Sequence, residues 1–456
     1  MLLDELRERI PLIEEENLKL YTELQNHSSA PSWNYVCGDR ITENDRKFIE
    51  DFSEKLQSDR RMMSEPDDSI LKWILEKEKA SPHFRKRLKY IRPEKYFHII
   101  ETMSREDISV SLSEIVPDGS SFDRLVINPT SGTTGHIIQC PNHPASVGCY
   151  SPMLLYALER HSVFPVQSRD TVLAMQLGFQ KETAVYSTVQ PILSGSGFAK
   201  INLDLSVWKK EEDRISYIER FQPEFFTGNP VSFQELTGLG LRHRPKGFIS
   251  TSLQLSTGLQ SEMRNIFNAP VINFYSMNET GPLAYSCPVH PERMHILPAD
   301  IYMEIIDPDG NPLQDGEFGE ITVTGGRNPF LPLLRYRTGD FGKMRRRTCE
   351  CGEKTGWLED FEGRKPVIFK ASDGTEINPV DVSRIFRKYP IVQYQLIQRK
   401  DGLNLKLHPS FPGGTQPERY LLDDLKKIFG DIRIFVSSDI EPHPVSGKVV
   451  SYASDL

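Results

Sequence analysis

The chain is narrowed first by what it has little of. No stretch approaches the roughly 18 consecutive apolar residues of a membrane span. Six cysteines in 456 residues are too few for a scaffold built on disulfides. Basic charge is in deficit, with 55 Lys and Arg against 63 Asp and Glu for a net charge of −8. That balance disfavours a general nucleic-acid binder, which needs clustered cations for its phosphate contacts. Internal repeats and low-complexity tracts are absent from the sequence. The opening Met1-Leu-Leu-Asp-Glu-Leu-Arg-Glu lacks the basic-then-apolar layout of a signal peptide. A cytoplasmic enzyme without a membrane partner is therefore expected. What remains is an ordinary globular composition, 38% hydrophobic and 26% charged, in a chain long enough for two or more units.

One stretch dominates what is there, Asn128-Pro-Thr-Ser-Gly-Thr-Thr-Gly-His136. It follows the short apolar run Leu125-Val-Ile127, which reads as a strand end. Small hydroxyl residues and glycines in quick succession can turn backbone N–H groups and hydroxyls around a phosphate, because glycine permits positive φ and nothing bulky blocks the approach. The Walker pattern is not met, and an ordinary polar turn is the plain alternative.

Taken in order, residues 2–25 show apolar residues at helical spacing and predict a surface helix, interrupted at Pro11. Residues 56–88 predict two helical pieces parted near Ala80-Ser-Pro82, with Trp73 and Phe84 as core contacts, and residues 96–103 a further helix. A helix over 150–161, strands over 171–177, 247–251 and 271–275, a strand end with a turn over 226–230, and a helix at 261–267 argue for a mainly parallel sheet covered on both faces. Ligands in such sheets bind at the carboxyl ends of the strands. Residues 301–306 and 319–323 predict an antiparallel hairpin. A compact piece then begins near 362–367, with helices at 380–389 and 419–429, a hairpin turning at Lys400-Asp-Gly402, and a strand at 432–436.

Four signals stand in one order: Thr130-Ser-Gly-Thr-Thr-Gly135, Tyr275-Ser-Met-Asn-Glu-Thr-Gly281, Tyr336-Arg-Thr-Gly-Asp340 and Ser446-Gly-Lys448. This set resembles the adenylate-forming superfamily of acyl-CoA ligases and adenylation domains. The wording Pro332-Leu-Leu-Arg-Tyr-Arg-Thr-Gly-Asp340, the cysteines after it, and Met294-His-Ile296 before Met303-Glu-Ile-Ile-Asp307 are similar to the phenylacetate–CoA ligase-like branch. The resemblance runs from about residue 85 to the end and implies an α/β fold. A large domain over 1–363, with mixed, mainly parallel sheets and a β-rich subdomain, would carry a small mobile α+β domain over 364–456. It implies that a carboxylic acid, aromatic by the branch, is joined to AMP from ATP and passed to coenzyme A, with an amine or carrier-protein thiol as the other acceptor.

The resemblance also implies roles. Thr130, Ser131, Gly132, Thr133, Thr134 and Gly135 would hold the departing phosphates, and Glu279 the Mg²⁺. Tyr275 would stack on adenine, with Ser276, Met277 and Asn278 beside the nucleotide. Asp340 and Arg364 would reach the ribose, and Lys448 would bridge carboxylate and α-phosphate. The acid would lie among Leu177-Gly-Phe179, residues 186–197, Thr227-Gly228 and residues 251–254. Several positions depart from the family pattern. His136 replaces a lysine, Asn278 a threonine, Thr251-Ser252 a glycine-rich pair, and Pro366-Val367 the paired acids of the hinge.

Cys349-Glu-Cys351-Gly352, with Cys287 upstream, looks like three ligands of a tetrahedral structural zinc site. His295 matches the family position for the fourth, and His290, three residues after Cys287, is a chemically sensible competitor. The acidic stretch 4–16 admits a homodimer contact or simply faces water.

Overall fold

A computed structural model describes residues 2–58, 62–129, 139–253, 255–362, 367–377, 379–411, 413–440, 449 and 451–455. The phosphate-loop residues Thr130–Gly135 with His136, together with Arg364 and Lys448, lie outside the described residues.

The N-terminal region corrects two expectations. Residues 2–25 form two helices, α1 (Leu2–Arg7) and α2 (Leu18–Asn26), parted around Pro11. They are not a surface helix: Leu6, Ile10 and Ile13 pack on Val189, and Leu20 and Leu24 join a larger core. The first of the two pieces expected over 56–88 is itself split: residues 56–58 end helix α3 (Glu43–Ser58), residues 62–67 lie outside any helix, and α4 (Asp68–Ala80) and α5 (Pro82–Leu88) follow. The break between α4 and α5 is where it was expected. Ser81 caps α5 through its side chain, with Pro82 at the first helical position. Trp73 meets buried Phe84 edge-on at 5.8 Å. The predicted helix at 96–103 shrinks to α6 (Pro93–Tyr96) and a 3₁₀ turn at Phe97–Ile99. Met103 instead bridges to Tyr336. Helix α7 (Arg105–Ile115) then starts from a reciprocal Ser104–Asp107 capping box.

Strands β1 (Val126–Pro129) and β2 (Gln139–Asn142) pair antiparallel and so form the stem of the 130–138 connection. Helices α8 (Pro144–Gly148) and α9 (Tyr150–Arg160) lead into β3 (Val172–Gly178), β4 (Tyr186–Gln190), β5 (Ser196–Asn202), α10 (Asp213–Phe221), β6 (Phe225–Gly228), α11 (Pro230–Gly238), β7 (Gly247–Ser250), α12 (Thr257–Phe267) and β8 (Val271–Met277). The strands that follow are β9 (Gly281–Ser286), β10 (Met294–Ile296), β11 (Ile301–Ile306), β12 (Phe318–Gly325), β13 (Leu333–Arg345) and β14 (Trp357–Glu362).

Twelve of these strands make one mixed sheet in the order β11-β12-β13-β14-β10-β9-β8-β7-β6-β3-β5-β4. From β8 through β7, β6 and β3 to β5 every pairing is parallel; from β9 to β11 every pairing is antiparallel. Strand β8 is the seam, parallel to β7 and antiparallel to β9. The parallel half is apolar on both faces, as a helix-covered sheet requires, and feeds two of the large cores.

The C-terminal unit has its own core around Phe386, Leu403, Leu421 and Phe429. It contains the small hairpin β15 (Phe369–Lys370) and β16 (Glu376–Ile377), then α13 (Pro379–Arg387), β17 (Tyr394–Arg399), β18 (Gly402–Leu407), α14 (Gln416–Phe429), β19 (Ile434–Ser437) and β20 (Tyr452–Ser454). Four of its strands pair in the order β19-β18-β17-β20. Among the described residues it rests on the large body at several places, Val392 joining one of the large cores. Thr257 donates its hydroxyl to the Arg387 carbonyl, and at Gly258 a Cβ would stand 2.3 Å from the 389–390 backbone. Ser383 and Arg387 also reach the Glu362 carboxylate, at 2.9 and 3.2 Å. No described helix is long and apolar enough to cross a membrane.

Candidate functional site

Glu279 sits at the tip of the shortest turn at the seam. Only Asn278, Glu279 and Thr280 join β8 to β9, with Met277 opposite Gly281. Gly281 has φ +74°, and a Cβ there would fall 2.3 Å from the Tyr150 ring; the turn needs glycine on both counts. Buried Arg327 clamps the far side, donating to the Thr280 carbonyl at 3.0 Å and pairing with Asp300. Although it tips a turn, Glu279 is 4% exposed. The Tyr336 hydroxyl donates to its Oε1 at 3.2 Å, and Arg105 Nη1 lies 3.5 Å from the same oxygen. Burial first, and then the Glu279 charge, holds the Tyr336 hydroxyl well above its ordinary value. It remains a donor.

The second carboxylate is tied to the same seam. Tyr275, on β8, donates to Asp340 Oδ2 at 2.8 Å. Burial and the Asp340 charge keep this hydroxyl protonated as well. One side of the Tyr275 ring meets Phe361, with centroids 4.6 Å apart. Asp340 is set by its own turn: its N–H donates to Thr338 Oγ1 at 3.1 Å, Thr338 donates to the Ile321 carbonyl, and Gly339 donates to Glu320. The Tyr336–Asp340 motif and the Tyr275–Gly281 motif thus meet in one place. Ser276 and Met277 continue β8 toward Asn278.

The stem of the 130–138 connection reaches that place too. Cys140, on β2, packs in the same core as Tyr275 and Tyr336. Burial and the nearby Glu279 charge push its thiol up to about 12. Asn328 holds the stem by donating to the Pro141 carbonyl at 2.7 Å. Val449, the residue after Lys448, lines a small cleft with Leu253 and Ser256 beyond β7 and with Phe386, Arg387 and Tyr394 of the C-terminal unit.

The expected acid site divides. Residues 177–179 and 227–228 end the adjacent parallel strands β3 and β6, 251–253 follow β7, and all share the carboxyl edge, while Gln254 lies outside the described residues. Tyr186 lies across from Lys200 at the same edge. Residues 190–197 do not: β4 runs antiparallel, so Gln190 pairs with Ser196 at the opposite edge. Ser252, in the glycine-rich position, keeps a left-handed backbone at φ +72°.

The expected cysteines and one histidine come together as a second cluster. Ligand atoms of Cys287, His295, Cys349 and Cys351 lie within 4.8 Å of one another. Cys287 and Cys349 Sγ stand 3.8 Å apart, as two thiolates about 2.3 Å from a tetrahedral ion would. His295 Nε2 points at Cys351 Sγ from 3.2 Å, while Nδ1 faces the Gly356 carbonyl at 3.1 Å. That pairing leaves Nε2 as the nitrogen able to ligate a metal. His290 is the residue left out; its ring faces Glu292 and Glu350, and only its backbone N–H serves Cys287. The donor set, three thiols and one imidazole with no open position, suits structural zinc.

Sequence inspection missed Arg105, Arg327 and Tyr150, and gave Tyr336 no role. The one local signal was the Ser104–Asp107 box, which marks a helix start but says nothing of Glu279.

Comparison with known proteins agrees with this geometry. Residues 48–328 match the model of the AMP-binding enzyme family, well over half of the chain. The phenylacetate-coenzyme A ligase of Thermus thermophilus is 25% identical over 232 residues, covering 47% of this chain and 51% of that protein. The phenylacetate-coenzyme A ligase of Aromatoleum evansii is 24% identical over 51% of this chain and 56% of its own length. The matches thus span about half the length of these relatives. Among solved structures, 2-hydroxyisobutyryl-CoA ligase in complex with R3-HIB-AMP superposes with a TM-score of 0.65 at 13% identity, over 93% of this chain and 96% of that one; it shares the fold. With a turn-borne carboxylate, a tyrosine-held aspartate and a hairpin stem brought to one sheet seam, the chain belongs to the AMP-binding enzyme family.

Proposed function

We propose that this chain activates a carboxylic acid with ATP, releasing pyrophosphate, and passes the acyl group from the acyl-adenylate to coenzyme A. The convergence of Glu279 and Asp340 on the β8 seam beside the 130–138 stem carries this reading. The attack of a carboxylate on the α-phosphate brings two anions together, so catalysis must come from positioning and charge neutralisation.

In this reading the Thr130–Gly135 loop holds the departing phosphates, and Tyr275 packs on the adenine while fixing Asp340 for the ribose. Arg364 joins Asp340 at the sugar. Ser276, Met277 and Asn278 border the nucleotide. Lys448 places its ammonium between the acid and the α-phosphate, which the position of Val449 at the junction favours. A buried, hard carboxylate oxygen such as Glu279 suits magnesium, which when bound offsets the charge on the phosphate oxygens. The chain divides into a large domain over 1–363 and a small one over 364–456. The separate C-terminal core supports that division.

An aromatic acid is the favoured substrate, on the phenylacetate-coenzyme A ligases among the relatives. The four-ligand cluster holds zinc as a staple between the 287–295 segment and the 349–356 loop. Its reduced thiols suit the cytoplasm.

The test is acid-dependent exchange of pyrophosphate into ATP across aryl and fatty acids, followed by addition of coenzyme A and then of amines. Exchange with an aryl acid and consumption of the adenylate by coenzyme A support the reading. Exchange with none of the acids would overturn it, and consumption by amines alone would move the acceptor.

A further inference from the structure

A cation already stands beside the carboxylate assigned to magnesium. Arg105 Nη1 lies 3.5 Å from Glu279 Oε1, and the Tyr336 hydroxyl donates to that same oxygen. Among the described residues, the hydrogen bond and the closest guanidinium approach both fall on Oε1. Glu279 is 3% and Arg105 33% exposed at the side chain, so the pair is partly withdrawn from water and its attraction is weakly screened.

The two partners of Glu279 ride on one scaffold. Met103 bridges to Tyr336; its N–H donates to the Arg335 carbonyl at 3.1 Å, and Arg337 returns a bond to the Met103 carbonyl at 2.8 Å. Ser104 then caps α7, which places Arg105 in the first turn. Arg87 fixes this segment from behind, donating to the Glu101 and Thr102 carbonyls and pairing with Asp107. Arg105 is therefore delivered to Glu279 by backbone pairing with the strand that delivers Tyr336.

We propose that Arg105 is a positioning residue that acts as the resident counter-ion of Glu279 and so makes divalent-metal binding depend on the nucleotide. Before ATP arrives, the Arg105 charge cancels that of Glu279, and a free divalent ion meets a neutral pair. The triphosphate supplies the extra negative charge that lets the ion share Glu279 with Arg105. Metal and nucleotide then enter together. This inference rests on the adenylation reading, and it adds an order of binding to it.

The test is Mn²⁺ titration of the zinc-replete protein by electron paramagnetic resonance, with and without a non-hydrolysable ATP analogue. Arg105→Gln is expected to bind Mn²⁺ about ten-fold more tightly than the parent without nucleotide, from the loss of one nearby positive charge. Arg105→Lys should stay close to the parent. The gain should vanish in Arg105→Gln combined with Glu279→Gln, because the effect passes through Glu279. Unchanged or weaker Mn²⁺ binding by Arg105→Gln, in a protein that still binds the analogue, overturns the counter-ion role alone. A parent protein that binds no analogue overturns the adenylation reading and this inference with it.

Discussion

Glu279 and Glu353 are both buried glutamates ringed by tyrosine and arginine, and they differ in how fully they are satisfied. Glu353 receives the Tyr156 hydroxyl at 3.0 Å, the Tyr285 hydroxyl at 2.9 Å and the Lys354 N–H at 2.8 Å, with Arg160 at 3.3 Å. Those donors occupy most of the roughly four acceptor positions of a carboxylate. They tie α9 and β9 to the cysteine loop, since Glu353 also accepts the Cys349 N–H through its carbonyl. Among the described residues Glu279 has one hydroxyl and one guanidinium, both approaching a single oxygen. A saturated carboxylate is a structural clamp. One engaged through a single oxygen is suited to a further cation.

That contrast is open to direct attack. Glu279→Gln should cost the largest effect, about a hundred- to a thousand-fold in pyrophosphate exchange, with an unchanged unfolding midpoint. An equal loss of stability would make Glu279 another clamp. Glu353→Gln should do the reverse, destabilising by about 3 kcal/mol because it breaks a buried, charged network. Denaturant unfolding should show this while nucleotide affinity of the folded protein is retained. Removing zinc by a chelator, or changing Cys349 to Ser, should lower the thermal midpoint by several degrees and spare analogue binding. Less than one zinc per chain in elemental analysis would remove the staple.

The smallest effect concerns Glu362, at the contact with the C-terminal unit. Burial pushes its carboxyl up to about 7, against the opposing influence of Arg387 and Ser383; Asp360 adds to the rise and Arg384 opposes it. A raised carboxyl favours the protonated folded form. Its contribution to stability is complete below its ordinary value near 4.5 and is lost as pH rises through about 7. The thermal midpoint should therefore fall slightly across that window, and Glu362→Gln should flatten the slope.

Local pattern carried the sequence reading a long way. The strands near 171–177, 247–251 and 271–275, the hairpin at 301–323 and the turn at Lys400-Asp-Gly402 are all present, because period and turn chemistry act within a few residues. Motif order singled out Glu279 and Asp340, and likeness to the branch singled out the cysteines and favoured His295 over His290. Legibility failed where the deciding partner is distant in sequence. Whether residues 2–25 face water depends on Val189, and the edge to which 190–197 belong depends on β4 running backwards. Arg105 has a meaning only beside Glu279, 174 positions later (279 − 105). No local rule could have paired them.

The Met103 bridge has a consequence for how the molecule can be cut. A fragment begun at residue 120 would retain all four of the ordered motifs, from Thr130 to Lys448. It would also strip the backbone rail from one flank of the Tyr336 strand and discard the guanidinium beside Glu279. The segment ahead of the first motif, which carries none of the four, is the jig in which the motif residues are set.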